Sequence, residues 1–221
     1  MEKKILNALV RCPLFNGVSE EGLEQIVAST KHKIVTFDKK DIYILAGMPY
    51  RHVDIMVQGE MVARMVSLSG KSVEVSRLMV GDLIAPAFIF SKDNLMPVSV
   101  ETETETSVLR MAKPDFVELI DNNAVLRRNF IAILSNIDVF LTKKMRVLSL
   151  FTVREKVGYF LKEASSKQGS NVVLLDKSRQ EIAESFGIQK FSLLRTMSEL
   201  AATGAIRVEG KRITILDRSK L

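Results

Sequence analysis

SRQEIAESFGIQKFSLLRTMSELAATGAIRVEGKRITILD, residues Ser178–Asp217, is the stretch from which the fold can be read. Ser178 can cap a helix through its hydroxyl while Glu181, three residues on, returns a bond to the Ser178 amide. Ile182, Ala183 and Phe186 then share one face, which predicts a first helix from Ser178 to about Ser185. Gly187 stands where a tight turn needs positive φ. Beyond it Leu193, Leu194, Met197 and Leu200 keep the spacing of a second amphipathic helix, which Gly204 ends. Ile206–Val208 and Arg212–Ile215 flank Glu209-Gly210-Lys211 and predict a hairpin turned at glycine. Two short helices followed by a hairpin make a winged helix-turn-helix.

A chain of 221 residues, 47% hydrophobic, has material for a core in each of two domains. No run approaches the roughly 20 apolar residues of a membrane span, and the start MEKKILNALVRCPLF has no apolar signal region; a cytoplasmic location is expected. The single cysteine, Cys12, has no partner for an internal disulfide, nor can it hold an iron–sulfur cluster within one chain, so it is expected to be structural. The net charge of +6 is unevenly placed: residues 1–112 carry 13 basic against 14 acidic residues, and residues 113–221 carry 19 against 12. A basic half that also carries a helix-turn-helix pattern fits the neutralisation of DNA phosphates, although a solvated charged face has the same composition.

In the first half, Ile5, Leu6, Leu9 and Val10, then Leu14 and Phe15, then Leu23, Ile26 and Val27 predict two or three short helices. From Lys33 the pattern turns β-rich, with runs at Ile34–Phe37, Ile42–Leu45, Val53–Val57, Met61–Val66, Val73–Leu78 and Val100–Met111. Turn signals at Gly47-Met48-Pro49, Gln58-Gly59, Ser69-Gly70-Lys71 and Gly81-Asp82 separate them, predicting an antiparallel barrel or jelly roll. Such a roll either takes a small ligand or is filled by its own apolar core. Glu101, Glu103 and Glu105 alternate with Thr102, Thr104 and Thr106, so one continuous strand would set the carboxylates on one face, expected to be wet. No metal is expected, since His32 and His52 are the only imidazoles and neither has ligand spacing with a partner.

Between the halves, residues 124–150 contain no proline or glycine, and Leu126, Phe130, Ile133, Ile137 and Phe140 repeat in four-three spacing. That is a coiled-coil seam, with Leu141, Met145 and Leu148 continuing an offset stripe; it predicts a homodimer, the other reading being a helix buried within one chain. Phe151-Thr152 interrupts the pattern, giving a hinge at Leu150–Thr152 and a second helix, capped by Thr152, to about Ser165. A polar loop over residues 165–171 and a short strand, Val172–Leu175, lead into the winged motif. The expected α+β organisation is an effector domain of N-terminal helices and antiparallel jelly-roll β-roll, cupin-like, over residues 1–123. A dimerisation helix over 124–150 and a winged helix-turn-helix over 151–221 follow it.

This order resembles the Crp/Fnr family of bacterial transcription regulators, the family of the cyclic-AMP receptor. The likeness spans nearly the whole chain and is most specific at SRQEIAESFGI with its following helix, at Cys12-Pro13-Leu14-Phe15 and at Gly81-Asp82-Leu83-Ile84. It implies a dimeric, sequence-specific DNA-binding regulator on a palindromic operator, with half-sites about one helical turn apart. RNA polymerase is a further candidate partner, for which no motif is legible. In the family the first turn of the second helix enters the major groove, and the matching positions are Gln189, Lys190, Phe191, Ser192 and Arg195. Arg179 and Gln180 match positions that meet the DNA backbone, and Lys211 in the wing turn completes the candidate set. Lys190 and Arg195 can donate to guanine, Gln189 can pair with adenine, and Ser192 can serve base or phosphate. Phe191 departs from the glutamate of the cyclic-AMP receptor branch and offers only apolar contact, for instance to a thymine methyl or to its own domain.

The roll departs further. Relatives that bind cyclic nucleotides carry Gly-Glu after the Gly-Asp turn and Arg-Ser or Arg-Thr about ten residues later, whereas this chain reads Ala85-Pro86 and Met96-Pro97. A phosphate buried without a cation or amide donors is costly, and proline donates no amide hydrogen, so cyclic AMP is expected to bind poorly or not at all. The candidate effector pocket is Gly81, Asp82, Ala85, Pro86, Met96 and Pro97, with Thr142 as the surviving hydroxyl on the long helix, next to Leu141. The effector is unidentified and no cofactor is required. Nothing in the spacing of Cys12, His32 and His52 favours haem. The competing class is a ligand-sensing module that acts through protein partners without DNA. An enzyme is not expected, since the sequence shows no Gly-rich phosphate loop, nucleophile–base pair or ligand cluster.

Overall fold

Ile5, Ala8, Leu9 and Cys12 recur at helical spacing, and they form the buried side of α1 (Glu2–Arg11) and the turn that ends it. The computed structural model describes residues 2–66 and 72–221 of the chain and divides it into two units, residues 1–138 and 139–221. The expected turn at Ser69-Gly70-Lys71 lies outside the described residues. No helix among the described residues is long and apolar enough to cross a membrane.

In the first unit α1 is followed by a 3-10 turn at Pro13–Phe15 and by α2 (Glu20–Ser29), whose Ser19 cap accepts from the Gly22 amide. Strands β1 (Lys33–Phe37), β2 (Ile42–Ile44), β3 (His52–Gln58), β4 (Met61–Val66), β5 (Ser72–Leu78), β6 (Ser99–Thr102) and β7 (Thr106–Ala112) form two antiparallel sheets, ordered β1-β7-β3 and β2-β6-β4-β5. This is the expected roll. Val53–Val57 of β3 is buried at five consecutive positions because α1 covers the strand. The core continues through Met61, Ile84, Val100, Val108 and Phe116. Helices α3 (Pro86–Ile89) and α4 (Lys113–Asp121), each opening with proline in its first turn, were not expected.

The run Val100–Met111 is two strands, not one, and this corrects the reading of its glutamates. Residues 103–105 form a bend between β6 and β7. Thr102 and Thr106 are buried, and the Thr102 hydroxyl bonds to the Asp38 carbonyl at 2.5 Å while that of Thr106 bonds to the Thr104 carbonyl at 2.9 Å. Gly59 lets the bend pass, since a Cβ there would lie 2.4 Å from the Glu105 carbonyl oxygen. Glu101 and Glu103 pair with Arg64 at 3.3 and 2.6 Å. Cys12 is buried, and burial pushes its thiol up to about 12, which keeps it a protonated core group.

The long helix α5 (Ala124–Leu150) has the expected limits. Its seam does not run unbroken: Leu126 and Phe130 belong to the core of the first unit, where Phe130 meets Phe116 edge-on at 5.4 Å. Val125 and Ile131 are exposed between these buried positions, and further along Val139, Phe140, Leu141, Met145, Leu148 and Leu150 form a run of exposed apolar residues.

In the second unit α6 (Val153–Gln168) opens with a full capping box between Thr152 and Glu155 and ends at Gly169 in the left-handed region, three residues later than expected. Strand β8 (Val172–Leu174) precedes α7 (Arg179–Ser185), α8 (Lys190–Ala202), β9 (Ile206–Glu209) and β10 (Arg212–Ile215). The wing is a three-stranded sheet ordered β8-β10-β9, with β8 as a full member, not merely a lead-in.

Candidate nucleic-acid interface

Ser178 and Glu181 form the capping box that their spacing predicts. The Ser178 amide donates to Glu181 Oε2 at 2.7 Å, and the Glu181 amide donates to Ser178 Oγ at 3.2 Å. Hydrogen bonding to the carboxyl by the Ser178 hydroxyl first and by the Ser178 amide next holds Glu181 below its usual range. Gly187 takes φ +62 in the turn, and the rings of Phe160 and Phe186 meet edge-on at 6.0 Å beneath it.

Leu193, Thr196, Met197 and Leu200 form the buried stripe of α8, while Leu194, expected on that stripe, is exposed. Gln189, Lys190, Phe191 and Arg195 are exposed and Ser192 is half-buried, all within the first two turns. Arg195 reaches Glu199 at 3.6 Å along the same face. The start of α8 differs from that of α7 in one chemical respect: its cap residue Gln189 makes no side-chain bond to the helix. Its first-turn amides therefore point outward without a side-chain acceptor, as an anion site requires.

Arg179 is not free at the surface: its Nη2 donates to the Gly210 carbonyl oxygen at 2.6 Å, which ties α7 to the wing turn. Gln180 is exposed and donates to Glu184 at 2.7 Å. Lys211 is exposed beside Gly210, which takes φ +58 in the turn. Lys177, Arg207 and Arg212 are also exposed cations of this unit. The unit as a whole has 16 basic and 8 acidic residues over 139–221, so the positive excess of the chain resides here.

The candidate effector positions have structural duties. Gly81 takes φ +96, and a Cβ there would lie 2.7 Å from the Arg11 Cβ, so glycine allows the turn to approach α1. Asp82 Oδ2 accepts from the Met79 amide at 2.7 Å. Ala85 stands in the left-handed region at φ +45, and Pro86 starts α3. Met96 is buried, its amide donating to the Met48 carbonyl at 2.9 Å, and Pro97 is exposed. Thr142, exposed on α5, belongs to the other unit.

Beside this turn lies a polar cluster that the sequence reading overlooked, signalled only by Asp54 as the lone charge in an apolar run. Asp54 is fully buried and receives Arg110 Nη2 at 2.6 Å, Arg110 Nε at 2.9 Å and the Tyr43 hydroxyl at 2.5 Å. The Tyr50 hydroxyl donates to the Ile84 carbonyl at 3.1 Å and so reaches the turn itself. Burial, with the neighbouring Tyr50 and Asp54, pushes the Tyr43 hydroxyl well above its ordinary range. A separate cavity of about 620 Å³ opens between α2 and α4, lined by Gln25, Lys31, Asp115 and Glu118 among others and by none of the candidate effector positions. No group of three metal-ligating side chains assembles among the described residues.

Residues 34–123 match the cyclic nucleotide-binding domain, and residues 155–221 match the Crp-like helix-turn-helix domain. No curated protein matches the chain by sequence. Among solved structures the chain is similar to the catabolite activator protein of Thermus thermophilus, at 18% identity and TM-score 0.57 over 94% of this chain and 95% of that one. It is similar to a Crp/Fnr-family regulator of Eubacterium rectale, at 17% identity and TM-score 0.60 over 95% and 96%. A CooA variant from Carboxydothermus hydrogenoformans matches at 16% identity and TM-score 0.66 over 94% and 91%. These likenesses show the shared fold. With its two domains matched in this order, the chain belongs to the Crp/Fnr family of DNA-binding transcription regulators.

Proposed function

We propose that the chain works in the cytoplasm as a homodimer that reads a palindromic operator through α8, under the control of an effector other than cyclic AMP. The observation that carries this reading is the first turn of α8. Lys190 and Phe191 are exposed there with Arg195 exposed one turn on, no side chain caps the helix, and the surrounding unit carries the positive excess. Cations supply affinity for phosphate, and side chains at the helix start supply base contacts. Gln189, Ser192, Arg179, Gln180 and Lys211 complete the proposed surface, with Arg179 acting through the wing.

The exposed apolar stripe at Val139, Phe140, Leu141, Met145 and Leu148 supports pairing of α5 with its counterpart in a second copy. Ala85-Pro86 and the buried Met96 supply neither cation nor carboxylate for a cyclic phosphodiester, which supports an effector of other chemistry. An activator built this way would act on RNA polymerase. No catalytic role is proposed.

Selection of duplexes from a random library, followed by fluorescence anisotropy at several salt concentrations, tests the reading. The expected result is enrichment of an inverted repeat whose binding is lost in Lys190→Ala with Arg195→Ala. Failure to enrich any duplex would favour a sensor that acts through protein partners.

A further inference from the structure

Phe191 is the second residue of α8, and its relative exposure is 73%. The core of its own unit does not recruit the ring: Leu193, Thr196, Met197 and Leu200 fill the buried side of α8, and Phe160 and Phe186 pair with each other. Its sequence neighbours Gln189, Lys190 and Ser192, and Arg195 one turn on, are all polar. An exposed aromatic ring at the centre of a cationic, hydrogen-bonding surface is an apolar contact awaiting a partner. On a duplex entered from the major groove, the apolar group within reach of a helix start is the C5-methyl of thymine. Side-chain wedges between base steps are chiefly a minor-groove device.

We infer that Phe191 reads a thymine methyl in each half-site, and that the operator is discriminated there by one methyl group and not by hydrogen bonds. The inference rests on the reading of α8 as the DNA-contacting helix. It further implies that Lys190 and Arg195 place the ring while their contacts with the duplex supply most of the affinity.

The test uses the full chain and the duplex enriched by selection. Each thymine in turn is replaced symmetrically by deoxyuridine, which keeps every pairing group and lacks only the methyl. At one position affinity should fall by about fourfold per half-site, the worth of one buried methyl. Phe191→Ala should bind the thymine and deoxyuridine duplexes equally, because the cycle removes the coupled pair. Phe191→Leu should retain part of the difference. Three results would overturn the assignment while leaving the DNA reading intact: binding indifferent to deoxyuridine everywhere, discrimination that survives in Phe191→Ala, or a Phe191-dependent bend without methyl sensitivity. Absence of any duplex binding by the unaltered chain would instead overturn the DNA reading itself.

Discussion

Arg179 Nη2 donates to the carbonyl oxygen of Gly210 at 2.6 Å, so the first residue of α7 holds the turn of the wing. Its guanidinium is thereby already committed inside the unit, and burial draws its pKa below the ordinary guanidinium range. Arg179 is expected to act on DNA by fixing where Lys211 stands. Lys211→Ala should lower the slope of log affinity against log salt by about one, as loss of one phosphate contact does. Arg179→Ala should weaken binding at every salt concentration with little change of slope, and Arg179→Lys should fall between, because an ammonium lacks the planar fork. A slope change in Arg179→Ala equal to that of Lys211→Ala would make Arg179 a direct phosphate ligand.

Two capping boxes, Thr152 with Glu155 and Ser178 with Glu181, make the second unit sensitive to acid. Bonds from Thr152 and from Ser178 hold both carboxyls below their ordinary value of 4.5. A carboxyl depressed in the folded state contributes stability that is present above its unfolded value and is lost as pH falls through the folded one. Melting followed by circular dichroism should therefore drop as pH falls below 4.5, and Glu155→Gln with Glu181→Gln should flatten that drop. Ser178→Ala should cost about 1 kcal/mol at neutral pH, the usual worth of an N-cap.

The helices of the winged motif were legible because their signals are local. A capping box, a glycine at positive φ and a three-four apolar stripe each reside within a few residues. The break at residues 103–105 was not legible, because alternating glutamate and threonine imitates the period of a strand. What decides the break is distant in sequence: Gly59 lies beneath it, and Asp38 supplies the carbonyl that Thr102 binds. The same non-locality hid two other features. Leu126 and Phe130 have the spacing of a dimer seam, yet that spacing also suits a helix packed on its own roll, and they are buried there. Arg179 carries no mark in the sequence that its partner is the wing carbonyl and not a phosphate.

The buried pair of Asp54 and Arg110 is expected to control the stability of the roll. Asp54→Ala would strand a guanidinium that is largely enclosed, and breaking a buried pair costs about 3 kcal/mol or more. Urea unfolding of Asp54→Ala and Arg110→Met, singly and together, checks this. The double substitution should cost less than the sum of the singles, because the second change removes the group that the first leaves unpaired. Strict additivity would mean that the two residues stabilise the roll independently.

Calorimetric titration with cyclic AMP should show no binding tighter than about 100 μM, and the nucleotide should leave duplex affinity unchanged. The physical reason is local to two places. Pro86 presents no amide hydrogen at the start of α3, and the buried Met96 offers no positive charge. Tight binding would show that other donors in the roll, such as Arg110, can be recruited after the Asp54 pair opens.

The two halves of α5 should respond differently to substitution, and the difference tests whether the helix pairs with a second copy. Leu126 is fully buried in the core of its own unit, so Leu126→Ala should destabilise the roll by about 2–5 kcal/mol without dissociating a dimer. Leu141 and Met145 are exposed one turn apart, and removing them leaves no cavity within the chain. Leu141→Glu with Met145→Glu should therefore leave thermal unfolding of the roll nearly unchanged while sedimentation velocity shifts to the monomer. Loss of the second contact removes the bivalent gain, so affinity for an inverted repeat should fall by about a hundredfold while affinity for a single half-site changes little. A dimer that persists in the double substitution would place self-association on another surface, and the exposed stripe on α5 would then require a different partner.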